Sequence, residues 1–236
     1  MRDLTRKVAI VTGSTKGIGL AIAQHLSRSG ASVVVNARSS DDVRGVAAGL
    51  EGSALGIAAD VGDAGQCRRL IDEAVAHFGR LDILVNNAGF GIFKPISEMS
   101  VEEWQSQVDV NLGGVFYCSK AALPHLSETG DGFIVNIASL ASRNPFAGGT
   151  GYNASKFGVL GLTEAMMMDV RYDSVRVSIV MPGSVNTYFN GREQVSERTW
   201  RLHVEDCGSA VMQILSYPKE AHVSRIEMRP SQPKRA

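Results

Sequence analysis

A three-layer α/β/α fold, built on a doubly wound parallel sheet of about seven strands with helices on both faces, is predicted from two observations. Short apolar runs rich in β-branched residues recur along the chain, and stretches with helical spacing separate them. The runs are apolar at successive positions instead of alternating, as strands buried on both faces are.

Taken in order, "KVAIVTG" reads as the first strand and "GIGLAIAQHLSRSG" as the first helix, with Ile18, Ile22 and Leu26 on one face. "SVVVNA", "ALGIAAD", "LDILVNN", "GFIVNIAS" and "RVSIVMPG" continue the strands. "SRIEMRP" is a late strand, followed by a polar tail, "SQPKRA", that is expected to fray. The length of 236 residues suits one large domain over residues 1–236. Two small domains fit the arithmetic, but no low-complexity block or Pro/Gly linker divides the chain.

Composition narrows the function classes. Lys plus Arg equals Asp plus Glu at 24 each, which leaves no bulk charge for nucleic acid or an anionic membrane; any anion recognition must be local. Cys67, Cys118 and Cys207 are few, odd in number and unpatterned, so buried structural thiols in a reducing compartment are expected, with no disulfide framework or metal site. The start, "MRDLTRKVAIVTG", has charges among its apolar residues and does not read as a signal peptide. No apolar run reaches the roughly 18 residues of a membrane helix, and a cytoplasmic location is the default expectation.

Between the first strand and the first helix, "VAIVTGSTKGIGLAIA" places glycines at 13, 17 and 19. Backbone can approach a pyrophosphate closely only where side chains are absent, and the helix N-terminus adds free N–H groups and positive dipole. Turns also collect glycine for steric reasons, but a strand before and a helix after favour a Rossmann-like nucleotide site. Tyr152 and Lys156 stand four residues apart at the start of the helical stretch "YNASKFGVLGLTEAMMMDV", which puts the ammonium and the phenol on one face. Free tyrosine has a pKa of about 10, and a nearby cation favours the phenolate.

The pattern TGxxxGIG, "NNAG" at 86–89 and "YNASK" at 152–156 together resemble the short-chain dehydrogenase/reductase family in its compact single-domain form, over nearly the whole chain. The resemblance implies a nicotinamide dinucleotide on Gly13, Ser14, Thr15, Lys16, Gly17, Ile18 and Gly19, with Asp60 and Val61 bordering the adenine. It further implies Asn87, Ala88 and Gly89 at the nicotinamide ribose, and Pro182, Gly183, Val185 and Thr187 of "PGSVNT" near the carboxamide. Asp60 and Asn86, at strand ends, are equally explained as partners of local backbone. "VVVNARSS" lacks the acid that would hold the two ribose hydroxyls of NAD at the end of the second strand. Arg38, beside Ser39, offers a planar fork of donors to a 2′-phosphate, and Lys16 a second cation, so NADP(H) is the expected cofactor. As a lone residue, Arg38 would read equally as a solvated loop charge.

Ser139, thirteen positions before Tyr152, stands at the spacing of the family's catalytic serine, and Asn111 in "VDVNLGGVF" matches its fourth member. By resemblance Tyr152 is the acid/base, Ser139 holds the substrate oxygen, Lys156 holds the ribose and tunes the tyrosine, and Asn111 joins a water relay. Reversible reduction of a ketone or aldehyde to an alcohol follows, with 3-oxoacyl or 3-hydroxy acid compounds among the candidates. Leu140, Phe146 and Tyr188, together with Ser139 and Tyr152, are the expected substrate contacts; Phe93, Arg143, Asn144 and Phe189 are further pocket candidates. Arg192, Arg198 and Arg201 lie near a short predicted lid and read equally as a solvated face. The helix of Tyr152 is apolar almost all round, which predicts a homodimer or homotetramer; Met166, Met167 and Met168 read equally as core filling. The ending "RIEMRPSQP" departs from the acidic, Gly-rich ending of acyl-carrier-protein reductases. A non-catalytic NADP(H) sensor of the same fold is the alternative, against which the intact set Asn111, Ser139, Tyr152 and Lys156 weighs.

Overall fold

The computed structural model describes residues 3–189 and 200–233. Among them, β1 (Val8–Val11), β2 (Ser32–Ala37), β3 (Ala54–Ala58), β4 (Ile83–Asn86), β5 (Gly132–Ile137), β6 (Val175–Pro182) and β7 (Arg225–Met228) form one sheet. Its order is β3-β2-β1-β4-β5-β6-β7, and every neighbouring pair is parallel. The chain runs outward from β1 to β3 and then returns to β4, so the strand order reverses between β1 and β4. Connections after these two strands part in opposite directions and open a crevice at their C-terminal ends.

Among the described residues seven α-helices join the strands: α1 (Gly17–Arg28), α2 (Ser40–Ala48), α3 (Ala64–Phe78), α4 (Val101–Val108), α5 (Gly114–Glu128), α6 (Thr150–Asp169) and α7 (Val204–Ser216). Alternate residues of each strand point to opposite faces, and both faces are apolar. Ala9 and Val11 of β1 pack with Ile22 and Leu26 of α1 and Val211 and Leu215 of α7. Val8 and Ile10 pack on the other face with Leu70 and Ile71 of α3 and Leu126 of α5. Cys67, Cys118 and Cys207 are all buried thiols within these layers. Met166 and Met167 lean on the second face, whereas Met168 is exposed, as are Phe116 of α5 and Phe157 of α6.

Helix starts follow local chemistry. Ser39 accepts from the Asp42 N–H at 3.2 Å to cap α2, Asp63 accepts from the Gln66 N–H at 2.9 Å to cap α3, and Ser100 with Glu103 forms a reciprocal capping box on α4. The stretch from Trp104 to Leu126 reads as one helix in the sequence. In the structure a π-helical turn, Asp109–Gly113, interrupts it and carries Asn111. Such a turn inserts one extra residue and re-aims the side chains on it.

At the opposite end of the sheet from the crevice, Asp82 is buried beside β1. Its carboxylate accepts from Lys7 Nζ at 2.9 Å, from the Val8 N–H at 3.0 Å and from Arg80 Nε and Nη2 at 2.8 and 2.6 Å. Burial pushes the carboxyl up, but the hydrogen bonds from Arg80, Val8 and Lys7 outweigh it and leave Asp82 below its ordinary value. A depressed carboxylate stabilises the fold above its unfolded value of 3.8 and loses that contribution as pH falls through the lower folded value. Asp82→Asn is therefore expected to cost about 1–3 kcal/mol at neutral pH by urea denaturation, with the gap to the natural protein closing as pH drops below 3.8.

Candidate active site

The Gly-rich turn leaves β1 through Gly13 and Gly17, both at positive φ (61° and 59°), where other residues are strained. At Gly13 a Cβ would also stand 2.8 Å from Ala88 Cα, so the turn and the "NNAG" loop touch backbone to backbone. Thr12 fastens them, its hydroxyl accepting from the Asn87 and Ala88 N–H groups, both at 3.0 Å. The Asn87 amide donates back to Thr12 O and Gly13 O at 2.9 and 3.0 Å. Thr12 was not singled out from the sequence; its signal was its place between the apolar strand and the first glycine.

Unlike α2, α3 and α4, α1 begins without a side-chain cap: Lys16 occupies the N-cap position and supplies none. A cleft of about 460 Å³ begins at this turn, lined by Thr15, Lys16 and Gly17, and runs along α1 past Leu20, Ala21 and Gln24 beside Tyr188, Val204 and Glu205. Thr187 closes over the turn, with its side chain 3.8 Å from where a Gly17 Cβ would lie. Bare backbone, an uncapped helix end and an adjacent cleft fit the phosphates of a dinucleotide. Ser14 is turned away, its buried hydroxyl donating to Val11 O at 2.7 Å and accepting from the Asn36 N–H at 3.1 Å. Ile18 packs partly into the core.

At the end of β2, Asn36 is buried and its amide donates to Ile57 O and Ala59 O, both at 3.2 Å, so it braces β3 and offers nothing to a ribose. Arg38 and Lys16 are exposed, and among the described residues neither enters an ion pair. Asp60 lies beyond β3, and its carboxylate accepts from the Gly62 N–H at 2.9 Å, the local role that strand-end acids often take. Val61 is buried against Gly114 at the start of α5. Asn86 is a core residue, donating to Ser119 Oγ at 3.0 Å and Asn136 Oδ1 at 2.9 Å. Gly183 donates to Met228 O at 2.8 Å, and Val185 pairs with Leu202.

Four expected catalytic residues converge above β4, β5 and β6. Ser139 follows β5; its hydroxyl accepts from the Ala141 N–H at 3.1 Å and lies near enough to the Tyr152 phenol to favour its ionised form. Tyr152 and Lys156 lie one turn apart on α6, with Lys156 Nζ 5.8 Å from the Tyr152 ring centroid. Lys156 donates to Ile137 O at 3.2 Å. Asn111 Oδ1 accepts from the Phe90 N–H at 2.9 Å, and its amide donates to Phe90 O at 2.8 Å and Ser155 Oγ at 3.0 Å. Ser155 passes its own proton to Tyr152 O at 2.9 Å. Asn111 Oδ1 and Lys156 Nζ both face Gly89, at 3.0 and 3.5 Å from where a Cβ would be. Ser155 and Gln107, whose carbonyl oxygen accepts from the Ile92 N–H at 2.9 Å, complete this frame and escaped the sequence reading. Their signal was their spacing, one inside "YNASK" and the other one turn before Asn111.

Burial acts on the pair in a way the spacing did not reveal. It raises the Tyr152 phenol above its ordinary value, with the nearby Ser139 hydroxyl pulling the other way, and it pushes Lys156 down to about 8. The expected lowering of Tyr152 by Lys156 does not prevail, because desolvation of both groups dominates.

Rings crowd around Tyr152: Phe93 and Phe189 have centroids 5.5 and 5.6 Å away, and Phe146 lies at 6.4 Å. Leu140 stands beside Gly183, and Asn144 reaches back to Leu140 O at 3.3 Å. Tyr188 lines the cleft at the Gly-rich turn, one residue from Phe189 in the ring cluster. Arg201 stacks over Trp200. Arg192 and Arg198, with most of the expected lid, lie outside the described residues, as does the end of the tail. Among the described residues no helix is long and apolar enough to cross a membrane.

A family model described as short chain dehydrogenase matches residues 7–198. An uncharacterized oxidoreductase of Staphylococcus aureus is 36% identical over 231 residues, covering 98% of this chain and 100% of the relative. Among solved structures, an alcohol dehydrogenase from the archaeon Thermococcus sibiricus complexed with 5-hydroxy-NADP superposes with a TM-score of 0.89 at 31% identity, over 97% of this chain and 99% of that one. A 3-ketoacyl-(acyl-carrier-protein) reductase from Brucella melitensis complexed with NADH gives 0.87 at 28% identity, over 96% and 97%.

Burying an ammonium disfavours its charged form, so the folded value of Lys156 lies below the unfolded 10.5 and stability rises with pH between about 8 and 10.5. Lys156→Met is expected to be the more stable protein at pH 7, by up to roughly 3 kcal/mol. Urea denaturation at stepped pH should show that advantage shrinking from pH 8 upward.

Proposed function

This chain belongs to the short-chain dehydrogenase family, and on that premise we propose that it is a single-domain, NADP(H)-dependent oxidoreductase that reduces a ketone or aldehyde to an alcohol and runs in reverse on CH–OH donors. The observation that carries the reading is the convergence of Tyr152 and Lys156 of α6 with Ser139 after β5 and Asn111 of the π-turn, three separate places in the sequence. A protein that only sensed the nucleotide would have no use for that set.

When bound, the nicotinamide supplies hydride to the carbonyl carbon, or accepts it from the alcohol. Tyr152 gives its proton to the carbonyl oxygen. Burial keeps the phenol protonated in the free protein, which suits an acid in the reductive direction. Ser139, beside the phenol, holds the oxygen and donates to the charge that develops on it. Lys156 holds the ribose and places a cation near the ring, lowering the cost of the phenolate that remains after proton transfer. Asn111, through Ser155, fixes the first turn of α6, and with Lys156 it joins the relay that returns a proton from water.

The cofactor preference rests on the end of β2. Asn36 is turned inward, and Arg38 after β2 and Lys16 after the neighbouring β1 are exposed cations, a pair suited to the 2′-phosphate of NADP(H). The bound 5-hydroxy-NADP of the Thermococcus enzyme supports this choice. 3-Oxoacyl or 3-hydroxy acid compounds stay within the reaction class, with no nucleic acid or membrane partner. The exposed rings of Phe116 and Phe157 support a symmetric homodimer or homotetramer, and a cytoplasmic location completes the reading.

Following NADPH absorbance against a panel of ketones, aldehydes and 3-oxoacyl thioesters tests the proposal; tight NADPH binding without any turnover would favour the sensor instead. Tyr152→Phe is expected to lower kcat about a hundredfold or more, with the dissociation constant of NADPH nearly unchanged, and turnover near that of the natural protein would overturn the assignment. Arg38→Asp should shift the ratio of kcat/KM for NADPH over NADH by about ten- to a hundredfold toward NADH.

A further inference from the structure

The rings around Tyr152 go beyond a generally apolar pocket. Phe93 follows β4, Phe146 follows β5 and Phe189 follows β6, so three separate loops each deliver one phenyl ring to the same point. Phe93 sits centrally, edge to face with Phe146 and with Tyr152, both at 5.5 Å, and 6.3 Å from Phe189. Phe189 meets Tyr152 edge to face at 5.6 Å.

Two glycines make this packing sterically feasible. A Cβ on Gly91 would stand 2.9 Å from the Phe93 ring and 3.2 Å from that of Tyr152. A Cβ on Gly149 would stand 2.6 Å from the Phe146 ring. Neither glycine has a positive φ, so bare backbone serves close approach of a ring there. Gln107 braces the loop that carries Phe93, through the Ile92 N–H.

The phenyl rings carry no charge, and the cation beside them is Lys156, 5.8 Å from the Tyr152 centroid. On the loops that carry Phe93 and Phe146 the cations are Lys94, next to Phe93, and Arg143, three residues before Phe146. Lys94 is paired with Glu103 at 2.5 Å and Arg143 with Glu227 at 2.6 Å. On these two loops a substrate carboxylate or a phosphate-bearing carrier arm would find no unpaired cation.

We propose that the site takes a carbonyl compound bearing an aromatic ring, selected by Phe93, Phe146 and Phe189; this names the substrate class of the reading above and rests on it. Tyr152 is only 8% exposed, so a carbonyl that reaches its hydroxyl must part rings that hold each other edge to face. An aromatic group restores those contacts as it enters, whereas a saturated group of equal size fills the volume without restoring them.

The test compares kcat/KM with NADPH for phenylacetone, cyclohexylacetone and acetoacetate, ketones whose carbonyl is not conjugated to the ring. Phenylacetone is expected to exceed cyclohexylacetone by about tenfold, with acetoacetate below both. In Phe93→Leu, and in Phe146→Leu at a half-exposed position that folding tolerates, that ratio should fall to about twofold or less. Equal values for the two ring compounds, an unchanged ratio in both variants, or acetoacetate as the best substrate would each overturn the aromatic selection while leaving the oxidoreductase reading in place. If none of the three is reduced, calorimetric titration of the two ring compounds into the NADPH-loaded protein separates the readings. Tighter binding of phenylacetone, lost in Phe93→Leu, supports the aromatic site although the reaction has failed; equal binding, or none, overturns it.

Discussion

The side-chain amide of Asn111 binds three pieces of chain that are distant in sequence. It closes a two-way hydrogen bond with the backbone of Phe90 and donates to Ser155, which in turn holds the carbonyl of Tyr152. The loop after β4 and the first turn of α6 are thereby fixed to the helix that runs through the π-turn. Gln107, one turn earlier, grips the same loop at Ile92. Standing four residues apart, the two amides lie on one face of this helical run and reach the loop together. The positions of Gly89, Lys156 and the ring of Phe93 all depend on that frame.

Burial around the frame sets the protonation states. Desolvation disfavours any charge, so it raises the phenol and lowers the ammonium, moving both toward neutrality. With Lys156 at about 8, a modest change in local charge decides how much of it is cationic. The other end of the sheet shows the opposite balance. Asp82 is just as inaccessible, yet four donors keep it ionised, because hydrogen bonds there outweigh desolvation. One sheet thus carries a satisfied structural charge at its base and an under-compensated, titratable pair at the C-terminal strand ends.

All seven strands, the Gly-rich turn and the pair Tyr152 and Lys156 were legible because each rests on local pattern: continuous apolar runs, glycines at a strand-to-helix turn, and a four-residue spacing on a helix. The π-turn was not legible, since "VDVNLGG" continues an acceptable helical pattern and only the demands of the neighbouring loop favour the insertion. Ser14 and Asn36 illustrate a second limit. Both lie in the stretches expected to meet the cofactor, yet their side chains brace β1, β2 and β3 against one another. Which way a polar side chain turns at a strand end depends on which carbonyls lack a partner, and those belong to strands far away in sequence.

The sequence by itself determined the sheet, the Gly-rich strand-to-helix turn and the spacing of Tyr152 and Lys156 on one helix face, because hydrophobic periodicity and short-range geometry are written into consecutive residues. Only the tertiary structure decided the protonation balance of Tyr152 and Lys156, the inward turn of Asn36 that leaves the cations exposed, and the closing of three phenyl rings over the tyrosine. Those outcomes arise from burial and from contacts between loops that follow β4, β5 and β6, and neither desolvation nor the meeting of distant loops is encoded in any one stretch of chain.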